Sequence, residues 1–331
     1  MATLRVPQVV PSPIEDSQQL RKAFVGLGTN EKTIISILAH RNAAQLRQIR
    51  ETYHETYGED LLVSLKKEIS GDFERLRSMD RYGVLTCWQR VVMLWTLDQA
   101  ERDAMLANEA AQKWHPGNLV LVEITCTRSA AELFATRKAY QARYKRSLEE
   151  DVAAHTKGDF RKLLVPLVSS YRYDGPEVNT KLAKLEAKML HKAIAEKFYS
   201  HEEIIRILGT RSKAQLIATF NHYNDEFGNP INKDLKHEAK DEFLSSLRAV
   251  IRCLVCPERY FEKVVRSAIE GLGTDEGALS RVITTRAEVD LQEIKEVYAK
   301  RNSKALDAAI AKDTSGDYEA FLLELIGHNE N

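Results

Sequence analysis

An all-α protein built from four copies of one helical unit is what this sequence of 331 residues predicts. Three observations carry the prediction. Four arginines, Arg41, Arg128, Arg211 and Arg286, stand in a shared register, with a leucine five residues on (Leu46, Leu133, Leu216, Leu291) and a tyrosine twelve residues on (Tyr53, Tyr140, Tyr223, Tyr298). Thirty-two residues on stands an aromatic: Phe73, Phe160, Phe243 and Tyr318. Such self-similarity at a fixed period is the signature of repeat architecture. Second, apolar residues recur at helical spacing, as Ile34, Ile37 and Leu38 do with Arg41. Third, no run of alternating β-branched residues argues for a sheet.

The elements of one unit follow in order. A first helix ends at the glycines of Gly26 to Thr29, where Thr29, like Thr274 in the last copy, is the expected N-cap of the next helix. The second helix carries the apolar pair seven and four residues before the arginine: Ile34/Ile37, Leu121/Ile124, Ile204/Ile207 and Leu279/Val282. Leu46 and Tyr53, a heptad apart, mark a third helix that stops near Gly58. Leu61 and Leu65 mark a fourth, matched by Leu148/Val152, Ile231/Leu235 and Leu306/Ile310, and a fifth follows Ser70–Gly71. About five helices per unit result.

The arginine-to-arginine spacings of 87, 83 and 75 place an excess after Phe73. It predicts an insertion at 77–91, expected as a locally packed loop because it carries Tyr82, Val84, Leu85, Cys87 and Trp88. The expected organisation is a tail at 1–13, repeat 1 at 14–76, the insertion at 77–91, repeat 2 at 92–168, repeat 3 at 177–250 and repeat 4 at 257–328.

Lys+Arg and Asp+Glu both number 48, so no net field draws the chain to nucleic acid or to anionic lipid. Acidic surfaces must be reached through local sites or a bridging cation. The first residues lack the layout of a signal peptide, and the apolar stretch Tyr82 to Leu97 is interrupted by Gln89 and Arg90. Four cysteines at irregular spacing make no disulfide framework. A cytoplasmic, reduced protein is expected.

Differences between copies point to chemistry. Fifteen and thirteen residues before the arginine, repeats 1 and 4 have Gly26 and Gly28, and Gly271 and Gly273. Twenty-seven residues after it they carry an acid, Glu68 and Asp313. Repeat 2 offers Lys113, His115 and His155 at these positions, and repeat 3 offers Glu196, Phe198 and Glu238. Glycines and acid therefore occur together in two copies only. Calcium fits this set, because it takes about six to eight hard oxygens and commonly mixes backbone carbonyls with a carboxylate. A Gly-x-Gly turn aims carbonyls at one point, and the acid 40 residues beyond the second glycine closes the shell if the two interhelical loops lie side by side. The loops are no dinucleotide fingerprint, since no strand precedes them and no third glycine follows.

Four repeats with the Gly-Leu-Gly-Thr-(Asn/Asp)-Glu loops at 26–31 and 271–276, and repeat ends such as Ser70-Gly71-Asp72-Phe73, resemble the annexin family over residues 14 to 328. The loss of loops in repeats 2 and 3, and His40 within Ala39-His40-Arg41-Asn42, resemble its plant branch. The resemblance implies a curved α-helical disc that docks peripherally, by calcium, on anionic phospholipid at the cytosolic face of membranes when calcium rises, and a protein that is not an enzyme. It implies one ion held by the carbonyls of Phe24, Gly26 and Gly28 with Glu68, and another by those of Ile269, Gly271 and Gly273 with Asp313. Thr29 with Glu31 and Thr274 with Glu276 match accessory positions, and Leu27 and Leu272 at the loop tips are the expected membrane contacts.

The alternative reading is a redox, peroxidase or nucleotide-hydrolysing activity on the same scaffold. His40 matches a histidine discussed in plant annexins as a haem ligand, and Cys126 and Cys253 match a suspected redox pair whose companion methionine is Val122 here. Ile205-Arg206-Ile207 resembles an F-actin contact, Asp313-Thr314-Ser315-Gly316 resembles a nucleotide motif, and self-association on membranes stays open. For each of these a packing role is the competing reading.

Overall fold

A computed structural model describes all residues except 26–28, 70–85, 113–118, 170, 201, 237–240, 272 and 329–331. Among the described residues there are 20 helices and no strand, in the expected groups of five. Repeat 1 comprises α1 (Pro13–Phe24), α2 (Glu31–Leu38), α3 (Ala43–Tyr57), α4 (Leu61–Ile69) and α5 (Cys87–Thr96). Repeat 2 comprises α6 (Gln99–Gln112), α7 (Leu119–Thr127), α8 (Ala130–Tyr144), α9 (Leu148–His155) and α10 (Gly158–Ser169). Repeat 3 comprises α11 (Thr180–Ala195), α12 (Glu202–Thr210), α13 (Lys213–Phe227), α14 (Ile231–Asp234) and α15 (Glu242–Val255). Repeat 4 comprises α16 (Pro257–Ile269), α17 (Glu276–Arg286), α18 (Leu291–Asn302), α19 (Leu306–Asp313) and α20 (Gly316–Ile326).

Local chemistry explains most of the boundaries. Ser12 with Glu15, Asn42 with Gln45, Thr86 with Gln89 and Ser129 with Glu132 form capping boxes at the starts of α1, α3, α5 and α8. Each satisfies amide groups that a helix start leaves without an internal partner. The expected caps Thr29 and Thr274 are corrected: Asn30 and Asp275 cap α2 and α17, accepting from the amides of Thr33 and Ala278. The next residue offers the shorter reach to the third helical amide, which frees the threonine hydroxyls for another partner.

The chain divides into two compact units, Met1–Arg102 with Phe261–Asn331, and Asp103–Tyr260. Repeats 1 and 4 therefore share the first unit, and most of repeats 2 and 3 make the second. In the first unit α1 lies against α2 and α3, and α5 against α4, α17 and α20. In the second, α7 lies against α15 and α10, and α11 against α13. The register leucines and tyrosines are buried in every repeat.

The register arginines are held by carboxylates. Arg41 donates to both oxygens of Asp16 at 2.6 and 2.8 Å, and Arg128 to both oxygens of Asp103 at 2.6 and 3.0 Å. Arg211 pairs with Glu186. All three acids lie 25 residues upstream. In repeat 4 that position is Phe261, whose ring lies 4.6 Å beneath the Arg286 guanidinium, and Arg286 turns to Asp290 instead. Bidentate pairing is what makes a buried guanidinium tolerable.

The expected insertion differs at its described end. Residues 87–91 open helix α5, whereas a packed loop was expected; its first part, 77–85, lies outside the described residues, as does Phe73. Val91, Val92, Leu94 and Trp95 of α5 are buried, and the Trp95 indole donates to the Leu38 carbonyl at 2.8 Å. The apolar content that favoured packing is satisfied by a helix, which also pairs its own backbone groups. The tail is docked on repeat 4: Thr3 donates from its amide to Ala287 and from its hydroxyl to Leu325 at 2.7 Å.

Candidate metal-binding loops

Two loops of the first unit share one construction. Helix α1 ends at Phe24 and α2 begins at Glu31; the loop between is closed by the Asn30 amide donating to the Ala23 carbonyl at 3.1 Å. In repeat 4, α16 ends at Ile269 and α17 begins at Glu276, and the Asp275 amide donates to the Ala268 carbonyl at 2.9 Å. Gly26, Leu27, Gly28 and Leu272 lie outside the described residues.

The repeat 4 loop shows why glycine is needed. Gly273 has φ +86°, a conformation that side-chain-bearing residues rarely adopt. A Cβ on Gly271 would stand 3.3 Å from the Gly273 carbonyl oxygen, so that oxygen is turned back into the loop. None of the described amides donates to the carbonyls of Phe24, Ile269, Gly271 or Gly273. Helix ends leave such carbonyls in want of a partner.

The fourth helices bring that acid. Thr29 Oγ1 donates to the Glu68 carbonyl at 2.9 Å, and Thr274 Oγ1 to the Asp313 carbonyl at 2.9 Å and to its Oδ2 at 2.6 Å. In both repeats the threonine before the second helix thus reaches the C-terminal end of the fourth helix. Asp313 is the last residue of α19, where its negative charge meets the negative end of the helix dipole. A cation is the natural complement there. Carbonyls plus one carboxylate are hard oxygen donors and fit an ion that prefers oxygen. Among the described residues no cluster of three or more His, Cys, Asp or Glu side chains offers a different kind of centre. Glu31 and Glu276 stand at the first positions of α2 and α17, beside these loops.

Repeats 2 and 3 are built otherwise. Lys113, His115 and Glu238 lie outside the described residues, and His155 Nδ1 is 2.8 Å from the Asp151 carbonyl. In repeat 3 the Lys197 and Phe198 amides donate to the carbonyls of Ile194 and Ala193, so the chain consumes its own helix-end acceptors.

The weaker candidates have structural partners. His40 Nε2 lies 3.2 Å from Glu324 Oε2, joining repeat 1 to repeat 4. Cys126 and Cys253 are buried and form no disulfide, and burial pushes the Cys126 thiol up, away from the reactive thiolate. Ile205 and Ile207 are buried and Arg206 pairs with Glu203, so this triplet presents no apolar contact to F-actin. Sequence reading missed Val25, 69% exposed on the flank of the first loop. Its position outside the repeat register left no signal.

Comparison with known proteins agrees with the fourfold helical plan. The annexin family model matches residues 15–77, 102–167, 185–250 and 260–325. Annexin Gh1 of Gossypium hirsutum is 62% identical over 330 residues, covering 100% of each chain. Among solved structures, annexin III is 31% identical with a TM-score of 0.87, covering 99% of this chain and 98% of that one. A calcium-bound annexin (Sm)1 is 27% identical with a TM-score of 0.82, covering 100% of this chain and 94% of that one. Four matched repeats and near-complete coverage by a plant relative leave one conclusion: the chain belongs to the annexin family, in its plant type.

Proposed function

We propose that the chain binds anionic phospholipid through calcium held in the loops of repeats 1 and 4, with lipid phosphate completing each ion's shell. Calcium-dependent phospholipid binding is the family's general activity, and the assignment to these two loops is supported by the matched hydrogen bonds that Thr29 and Thr274 donate to the backbone carbonyls of Glu68 and Asp313. The carbonyls of Phe24, Gly26 and Gly28 with Glu68, and those of Ile269, Gly271 and Gly273 with Asp313, would hold the ions. Thr29 with Glu31 and Thr274 with Glu276 would form accessory positions. When bound, calcium supplies the positive charge that a neutral protein lacks for an anionic surface. Leu27, Leu272 and the exposed Val25 would rest in the interface beside the loops. No described helix is long and apolar enough to cross a membrane.

Because ion and lipid complete one shell, each tightens the binding of the other. The test is sedimentation with phosphatidylserine vesicles across a calcium titration. The double variant Glu68→Gln, Asp313→Asn is expected to lose calcium-dependent sedimentation, and sedimentation that persists undiminished overturns the site assignment.

A further inference from the structure

On the calcium reading of the loops, we infer that Thr29 and Thr274 are positioning residues that latch each glycine loop to its acid before any ion arrives, and that the latch is stronger in repeat 4. Both hydroxyls span the same 39 residues and reach the residue that carries the acid. They are not the caps of α2 and α17, whose caps are Asn30 and Asp275. At the same register position, twelve residues before the arginine, repeats 2 and 3 carry Pro116 and Tyr199. Proline has no donor, and the tyrosine hydroxyl lies at the end of a long ring. The threonine therefore occurs, like the paired glycines, in repeats 1 and 4 only, which ties it to the loop rather than to the fold shared by all four.

The two latches differ in what they hold. Thr29 reaches only the Glu68 carbonyl among the described residues, so it ties the residues before α2 to the end of α4 and leaves the Glu68 carboxylate to find its own rotamer. Thr274 shares its proton between the Asp313 carbonyl at 2.9 Å and the carboxylate Oδ2 at 2.6 Å, so it fixes the side chain as well. A carboxylate oxygen that accepts one hydrogen bond keeps lone pairs for a cation, and Oδ1 accepts no hydrogen bond from any described residue. Ordering a ligand in advance removes an entropic cost from binding. In repeat 4 that cost is met during folding. In repeat 1 the glutamate, with its extra methylene, is ordered only on binding.

The full chain titrated calorimetrically with calcium chloride alone tests this. Loop 4 is read in a Glu68→Gln background and loop 1 in an Asp313→Asn background. Thr274→Val is expected to weaken loop 4 by roughly tenfold and Thr29→Val to weaken loop 1 by roughly threefold, with serine at either position restoring affinity. Without calcium, amide hydrogen exchange at 273–276 should quicken in Thr274→Val and return in Thr274→Ser. Valine variants that bind as tightly as threonine, or serine variants as weak as valine, overturn the latch. A larger loss at Thr29 than at Thr274 overturns the asymmetry. A wild-type chain that takes up no calcium overturns the calcium reading itself, an outcome distinct from calcium uptake that the valine variants leave unchanged.

Discussion

Arg41 and Arg286 occupy one register position and solve one problem in two ways. Arg41 is buried against Asp16, whose side chain is 2% exposed, while Arg286 uses Asp290 and the face of Phe261. Asp16→Asn strands a buried guanidinium and is expected to cost about 3–5 kcal/mol of stability, measured by urea unfolding. Asp290→Asn should cost less, because the ring of Phe261 still faces the charge. The arginines were legible in the sequence because they recur; their partners were not, since a carboxylate 25 residues away is identified only when two helices meet. Thr29 and Thr274 make the same point. Local chemistry made them N-caps, and a better cap one residue on turned them toward the fourth helix.

At the scale of the element, α5 shows how burial overrides register. Its first five residues, 87–91, stand where the spacing of the other repeats leaves no place for them, yet α5 lies in the first unit against α4, α17 and α20. Trp95 is 2% exposed, so Trp95→Ala should cost about 3–5 kcal/mol in urea unfolding. Val63 on α4 is 52% exposed, and Val63→Ala should change stability by no more than about 0.5 kcal/mol. Helix existence and order were legible from the 3.6-residue period, and the helix stops from their glycines. The helical state of 87–91 was not, because an apolar run of that length suits a packed loop or a short helix equally until its neighbours are known.

Across the whole molecule, the repeated tyrosines act together. Burial raises the pKa of the register tyrosines Tyr140, Tyr223 and Tyr298 and of Tyr318, and hydrogen bonds to Asp151 and Asp234 add to it at Tyr140 and Tyr223. A group whose folded value is raised contributes stability that is complete below its unfolded value and is lost as pH rises. The unfolded value of tyrosine is about 10, so thermal stability should fall steadily as pH rises above about 10. Thermal melts between pH 8 and 12 check this, and a flat profile would contradict it.

The sequence by itself determined the fourfold helical plan, the family, and the two repeats that keep glycines and acid together, because all of these are written in spacings along one chain. Tertiary structure alone decided that the first and last repeats share one compact unit, joined by His40 with Glu324 and by Glu288 accepting from the Ala43 amide. Both complete loops therefore belong to a single body. It also decided that each loop is tied to its acid by a threonine hydroxyl. These are contacts between residues 39 to 284 positions apart, and no local periodicity encodes them. They depend on which surfaces fit once the helices exist.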